Sequence, residues 1–118
     1  MNDRIILRIT DLIGSPLCIS AEDGQKVFEK LAPLIREGKK VDISFDRVTM
    51  LISLFLNAAI GQLYGSFNEE QIHSQVTITG LAEDDLDMLK RVEVNAKNYY
   101  ANPKKYDQAW KIENDDEE

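Results

Sequence analysis

Residues 40–65 read KVDISFDRVTMLISLFLNAAIGQLYG, and the order of residue types in this stretch decides the fold. It begins with strict alternation: Val41, Ile43 and Phe45 on one side, Lys40, Asp42 and Ser44 on the other. A period of two is a β-strand with one apolar and one polar face. Asp46-Arg47 is turn chemistry, and Val48 to Ile52 is an apolar passage. The period then changes. Phe55, Leu56, Ala59, Ile60 and Leu63 recur at helical spacing. Ser53 stands where an N-cap is expected, and Gly65-Ser66 closes the helix.

The flanks repeat the same grammar. Upstream, Arg4 to Thr10 predicts a strand, with Ile5, Leu7 and Ile9 opposite Arg4, Ile6 and Arg8. Gly14-Ser15-Pro16 is a turn, and Leu17-Cys18-Ile19 a short strand. Ser20 begins a helix, with Asp23 near the capping-box spacing and a stripe of Val27, Phe28, Leu31, Leu34 and Ile35. Pro33 lies inside that stripe and predicts a kink or an early stop, and Gly38 ends the helix. Downstream, Asn68 to Gln75 is polar and reads as a loop or a single helical turn. Val76 and Ile78 alternate with Thr77 and Thr79 in a last strand, stopped by Gly80. A long helix follows, lined by Leu86, Leu89, Val92, Ala96 and Tyr99 or Tyr100; Glu83, Asp84 and Asp85 in its first turn suit the helix dipole. Asn102-Pro103 ends it, and Pro103 starts a short terminal helix carrying Tyr106, Ala109 and Trp110.

A parallel sheet between two helix layers has near-continuous apolar strands. These strands keep a polar face. The expectation is therefore an α/β domain of the α+β type in two layers: a mixed sheet of about four strands with helices mainly on one face. Ile5, Leu7, Ile9, Val41, Ile43, Phe45, Val76 and Ile78 form the buried face; Arg4, Arg8, Asp42, Ser44, Thr77 and Thr79 face away. Residues 1–112 make one domain, because 118 residues leave no room for two.

With 43% hydrophobic and 30% charged residues the chain is a globular mix. Its single cysteine excludes an internal disulfide. Fourteen basic against 21 acidic residues give −7. Five of those acids lie in Glu113–Glu118 (ENDDEE), a disordered acidic tail by composition, and the remainder is close to balanced. This charge argues against nucleic acid and anionic membranes as partners. No apolar run approaches the ~20 residues of a membrane span, and MNDRIILRIT lacks the pattern of a signal peptide, so a cytoplasmic protein is expected.

The catalytic inventory is thin, and the expectation is a protein that is not an enzyme and needs no cofactor or metal. His73 is the single histidine. With Ser53 it could serve a small hydrolase or transferase, but no G-x-S-x-G elbow surrounds Ser53. Paired cysteines and a second histidine are missing, so no ligand spacing for a metal exists. Glu83 to Asp87 lacks the glycine of a calcium loop and reads as a charged helix start. No glycine-rich phosphate loop is present. Cys18 reads as a small core residue.

The strand VDISF followed by DRVTMLISLFLNAAIGQLYG resembles the STAS fold, typified by bacterial anti-sigma factor antagonists. In that fold the strand leads to a segment of the form V-x-[FI]-[IM]-D-S-S-G-L-G. Val48 matches the valine, Ile52 stands where the aspartate would be, and Ser53 falls on the first serine, the one phosphorylated in those proteins. Leu54 replaces the second serine and Phe55 the glycine, so the phosphoswitch motif is mostly lost. The chain is more similar to the STAS-like family of unknown function from bacteria and their mobile elements. Its pattern, V-x-x-D-F and then S-x-F-x-[ND]-x-x-x-x-x-L, is met by Val41, Phe45, Ser53, Phe55, Asn57 and Leu63, with Ser44 in place of the aspartate. The resemblance covers nearly the whole chain in element order. It implies a non-enzymatic regulatory module for signal transduction through protein–protein interaction. The implied partner is a histidine-kinase-like ATPase, which would supply the nucleotide, and Ser53 and Asn57 are the expected partner or phosphorylation site. A structural homodimer using the open sheet face is a further alternative.

Overall fold

The computed structural model describes residues 4–101. The terminal helix expected from Pro103 and the acidic tail 113–118 lie outside them.

The alternating strands appear as read, with one shortened. β1 (Ile5–Arg8) stops before Ile9, and α1 (Ile9–Ile13) takes over. The expected strand to Thr10 is therefore too long. Ile9 is fully buried all the same, and one helical turn brings Leu12 and Ile13 against the same core. Gly14, with φ +72°, closes α1 by donating its N–H to the Thr10 carbonyl at 2.9 Å. β2 (Leu17–Cys18) leads to α2 (Ala21–Arg36), where Ser20 Oγ accepts the Asp23 N–H at 3.1 Å as its spacing predicts. The stop expected at Pro33 does not occur; the helix runs on to Arg36. Proline removes the donor that would reach Glu29, and both residues are exposed, so the loss falls on the solvent side of the helix where it costs least.

β3 (Val41–Ser44) and the Asp46-Arg47 turn follow, closed by Val48 N–H to the Phe45 carbonyl at 3.1 Å. β4 (Met50–Leu51) lies within what reads as an apolar passage. The expected single helix then comes in three parts: α3 (Ser53–Leu56), a π-turn (Asn57–Gly61) and α4 (Leu63–Ser66). The polar stretch after it, which reads as a loop or a single helical turn, is the seven-residue helix α5 (Glu69–Gln75), capped by Asn68 Oδ1 accepting the Gln71 N–H at 2.7 Å. β5 (Val76–Thr79) and α6 (Glu83–Ala101) complete the domain.

The class is the expected one, a small sheet with helices packed over it. The pairing differs in detail from one mixed sheet of about four strands. β1, β3 and β5 form a parallel sheet with β3 in the centre, and β2 and β4 form a separate parallel ribbon. Helices link successive strands of the main sheet and return the chain to the same end, so each strand enters in the same direction. In the main sheet Ile5, Val41 and Val76 align, as do Leu7, Ile43 and Ile78. These two rows face the helices; Val41 and Ile43 are completely enclosed. The opposite face is polar apart from Ile6, which is 59% exposed. Arg4 Nη1 donates to Thr77 Oγ1 at 3.0 Å, and the hydroxyls of Thr77 and Thr79 each donate to Asp42 Oδ1 at 3.3 Å.

One buried polar group ties the layers together. Gln75 Nε2 donates to the carbonyls of Ile35, at 3.1 Å, and Lys39, at 2.7 Å. It thereby ties the start of β5 to the end of α2, where the Ile35 carbonyl also accepts the Gly38 N–H at 3.0 Å, and to the link that leads into β3.

Candidate functional site

Ser53 does not cap its helix. Ile52 occupies the cap position with extended backbone, and Ser53 is the first helical residue, with no capping hydrogen bond from its neighbour's side chain. The helix therefore begins one residue earlier than the residue types suggest, with the last residue of the apolar passage in the cap position. Ser53 is exposed, and so is Asn57, one turn on.

What brings them together with other groups is the π-turn. A π-turn shifts hydrogen bonds from i−4 to i−5 and leaves a carbonyl without its usual donor. Here Gln62 repairs it: Nε2 donates to the Ala58 carbonyl at 2.8 Å and to Gln25 Oε1 of α2 at 2.6 Å. On the other side α6 packs Leu89, Val92 and Ala96 against the turn. Gly61 lies on this contact, where a Cβ would stand at ordinary van der Waals distance from Ala96 Cβ, 3.6 Å, and Val92 Cγ1, 3.7 Å. Between α3 and α6 remains a groove of about 290 Å³ lined by Ser53, Asn57, Met88, Arg91, Val92 and Asn95.

The groove is polar at its mouth. It offers a hydroxyl, two carboxamides and one guanidinium, with Met88 and Val92 along its wall. Such a lining suits an acidic or phosphorylated group, because Arg91 supplies charge and a fork of donors while the amides give and accept hydrogen bonds. Arg91, Asn95 and Met88 were not singled out by sequence. They sit at spacings of three and four on α6, beside its buried stripe, and that flank position is the one signal that could have found them.

His73 lies elsewhere. It sits on α5 rather than in a loop, with Nε2 3.4 Å from Tyr64 Oη and 3.9 Å from Glu69 Oε2. Tyr64 donates to Glu93 Oε2 at 3.2 Å, and Lys97 donates to Glu69 Oε2 at 2.9 Å. Burial pushes the Tyr64 phenol up, with the Glu93 carboxylate adding to it, while the hydrogen bond from Lys97 holds the Glu69 carboxyl below its ordinary value. Ser53 and His73 share no hydrogen bond. Among the described residues no group of three His, Cys, Asp or Glu side chains is placed to hold a metal ion, and no helix is long and apolar enough to cross a membrane.

A family model described as a STAS-like domain of unknown function (DUF4325) matches residues 23–86. The chain belongs to this family. No curated protein and no solved structure matches the chain. The matched span of the STAS-like domain runs from the first turn of α2 into the first turn of α6. It contains Ser53, Asn57 and the π-turn, but stops before Arg91 and Asn95. The α6 wall of the groove thus lies beyond the matched region.

Cys18 is enclosed, and burial pushes its thiol from 9.0 up to about 11, with the Asp23 carboxylate adding to the shift. The folded state therefore keeps a proton that the unfolded chain releases above its lower pKa. Stability should fall as pH rises from 9 toward 11, since the unfolded state binds fewer protons there. Denaturant midpoints measured across that range check it; the slope should flatten in Cys18→Ala.

Proposed function

We propose that this STAS-like domain is a non-enzymatic regulatory module that docks a protein partner at the groove formed by Ser53, Asn57 and Arg91. The observation that carries the reading is the convergence of Ser53 and Asn57, exposed on one helix face, with the Arg91 guanidinium from α6. The partner fitting the STAS resemblance is a histidine-kinase-like ATPase in the bacterial cytoplasm, with the nucleotide bound on the partner's side. Phosphorylation of Ser53 would place a dianion in the groove lined by Arg91, where charge-assisted hydrogen bonds are strong. The same event would change the surface that the partner meets.

The test is capture from the native host with phosphosite mapping, then binding of the captured protein to variants. Ser53→Asp should fold normally, because an acid in the first helical turn is favoured by the dipole. It should change the Kd by about tenfold or more, equivalent to about 1.4 kcal/mol. Asn57→Ala and Arg91→Ala should weaken binding. Equal affinities for wild type and all three variants would overturn the site.

A further inference from the structure

The outer face of the β2–β4 ribbon is apolar. Cys18 and Leu51 point into the core, and their neighbours point out: Leu17 is 40% exposed, Ile19 42%, Met50 53% and Ile52 36%. Leu54, in the first turn of α3, is 51% exposed. Leu17 and Met50 are register partners, and the Ile52 N–H donates to the Cys18 carbonyl at 3.1 Å, so the strand side chains form adjacent rows. The open face of the main sheet offers no comparable surface; there Asp42, Thr77 and Thr79 bond to one another.

The size of the patch is informative. Five such side chains present on the order of 400 Å² of apolar surface, within the range that marks interaction sites on soluble proteins and about half of the ~800 Å² each partner gives a standard interface. The residues that flank the ribbon carry opposite charges at its two ends. Arg47 is exposed just before β4, and Glu22 is exposed just after Ile19. Neither takes part in an ion pair among the described residues.

We propose that this face is a homodimer interface on which a second copy of the chain packs its own ribbon. A two-fold axis lying across the strands reverses their direction, so the Arg47 end of one ribbon meets the Glu22 end of the other. The patch is then self-complementary in shape class and in charge, as an isologous interface requires. Ser53 faces the groove on α6 between the outward Ile52 and Leu54, so dimerisation leaves that groove open. The inference is independent of what the groove binds.

Sedimentation equilibrium of the full chain over a wide concentration range tests it. Wild type should dimerise. Met50→Glu and Leu54→Glu, each with an unchanged far-ultraviolet circular dichroism spectrum, should be monomeric at the same concentrations. Thr77→Glu, on the open face of the main sheet, should remain dimeric. Arg47→Glu should weaken the dimer, and adding Glu22→Arg to it should restore the wild-type dissociation constant. A wild-type monomer at the highest concentration overturns the proposal. So does a dimer that survives both Met50→Glu and Leu54→Glu, or one that only Thr77→Glu dissolves.

Discussion

Truncating Phe55 to alanine should cost the domain about 3–5 kcal/mol, a large part of the 5–15 kcal/mol that holds a typical domain folded. Phe55 is completely enclosed, as are Leu56, Ala59 and Leu63 beyond it. It sits where α3 meets both α2 and α6, so its removal opens a cavity that three helices must collapse together to fill. Rigid backbone on all sides limits that collapse, which is the condition for a cost at the upper end of the range. Denaturant unfolding of Phe55→Ala beside Leu54→Ala checks it. Leu54 is the exposed neighbour, and at protein concentrations where the chain is monomeric its truncation should change stability by less than about 0.5 kcal/mol. Similar losses for the two variants would mean that the helix is rotated from the orientation described.

Gly24→Ala should also destabilise, against the usual sign of that change. In an ordinary helix interior alanine is better than glycine by roughly 1 kcal/mol. At Gly24 of α2 an added Cβ would lie 2.5 Å from the Phe55 carbonyl oxygen and 2.7 Å from Ala58 Cβ. The nearest obstacle is backbone and cannot swing away. Overpacking of this kind costs about 1–3 kcal/mol, and the helix-propensity gain offsets only part of it. The expected result is a melting temperature lower by several degrees, at about 4 °C or more per kcal/mol for a domain of this size. A raised melting temperature would show that α2 and α3 are further apart than 2.5 Å implies.

The alternating strands were legible because one face of the sheet stays wet: Val41, Ile43, Val76 and Ile78 could be told from Asp42, Thr77 and Thr79 by period alone. The capping serine of α2 was legible for a local reason, a hydroxyl three residues before an N–H. What escaped was set by tertiary contact. β4 is two residues long and exists because Cys18 and Leu51 share the core, which no local pattern announces. α5 was legible only as a loop or a single turn, because polarity masked a helix whose buried side chains are Ile72 and Gln75. The π-turn did leave a trace. Phe55, Ala59 and Leu63 are all buried, as are Leu56, Ile60 and Tyr64, a strict spacing of four. On an ideal α-helix of 3.6 residues per turn, eight residues at that spacing drift by about 80°. An underwound turn between them cancels much of the drift. As for the candidate site, Ser53 and Asn57 could be named from one helix, whereas Arg91 and Asn95 come from an element whose neighbour is chosen only by packing.

The all-parallel pairing has a consequence for how the chain reaches this structure. Hairpins give a sheet a fast, local beginning, and none is available among the described residues. Every ladder joins residues roughly 35 positions apart, as with Ile5 and Val41 or Val41 and Val76, so a long loop must close before the first strand pair forms. The early stages therefore fall to helices, with α2 settling on the π-turn through Gly24, and the sheet assembles late. Until it does, the chain carries bare strands with apolar sides. A host with little chaperone capacity should lose more of this protein to aggregation during synthesis than its folded stability suggests.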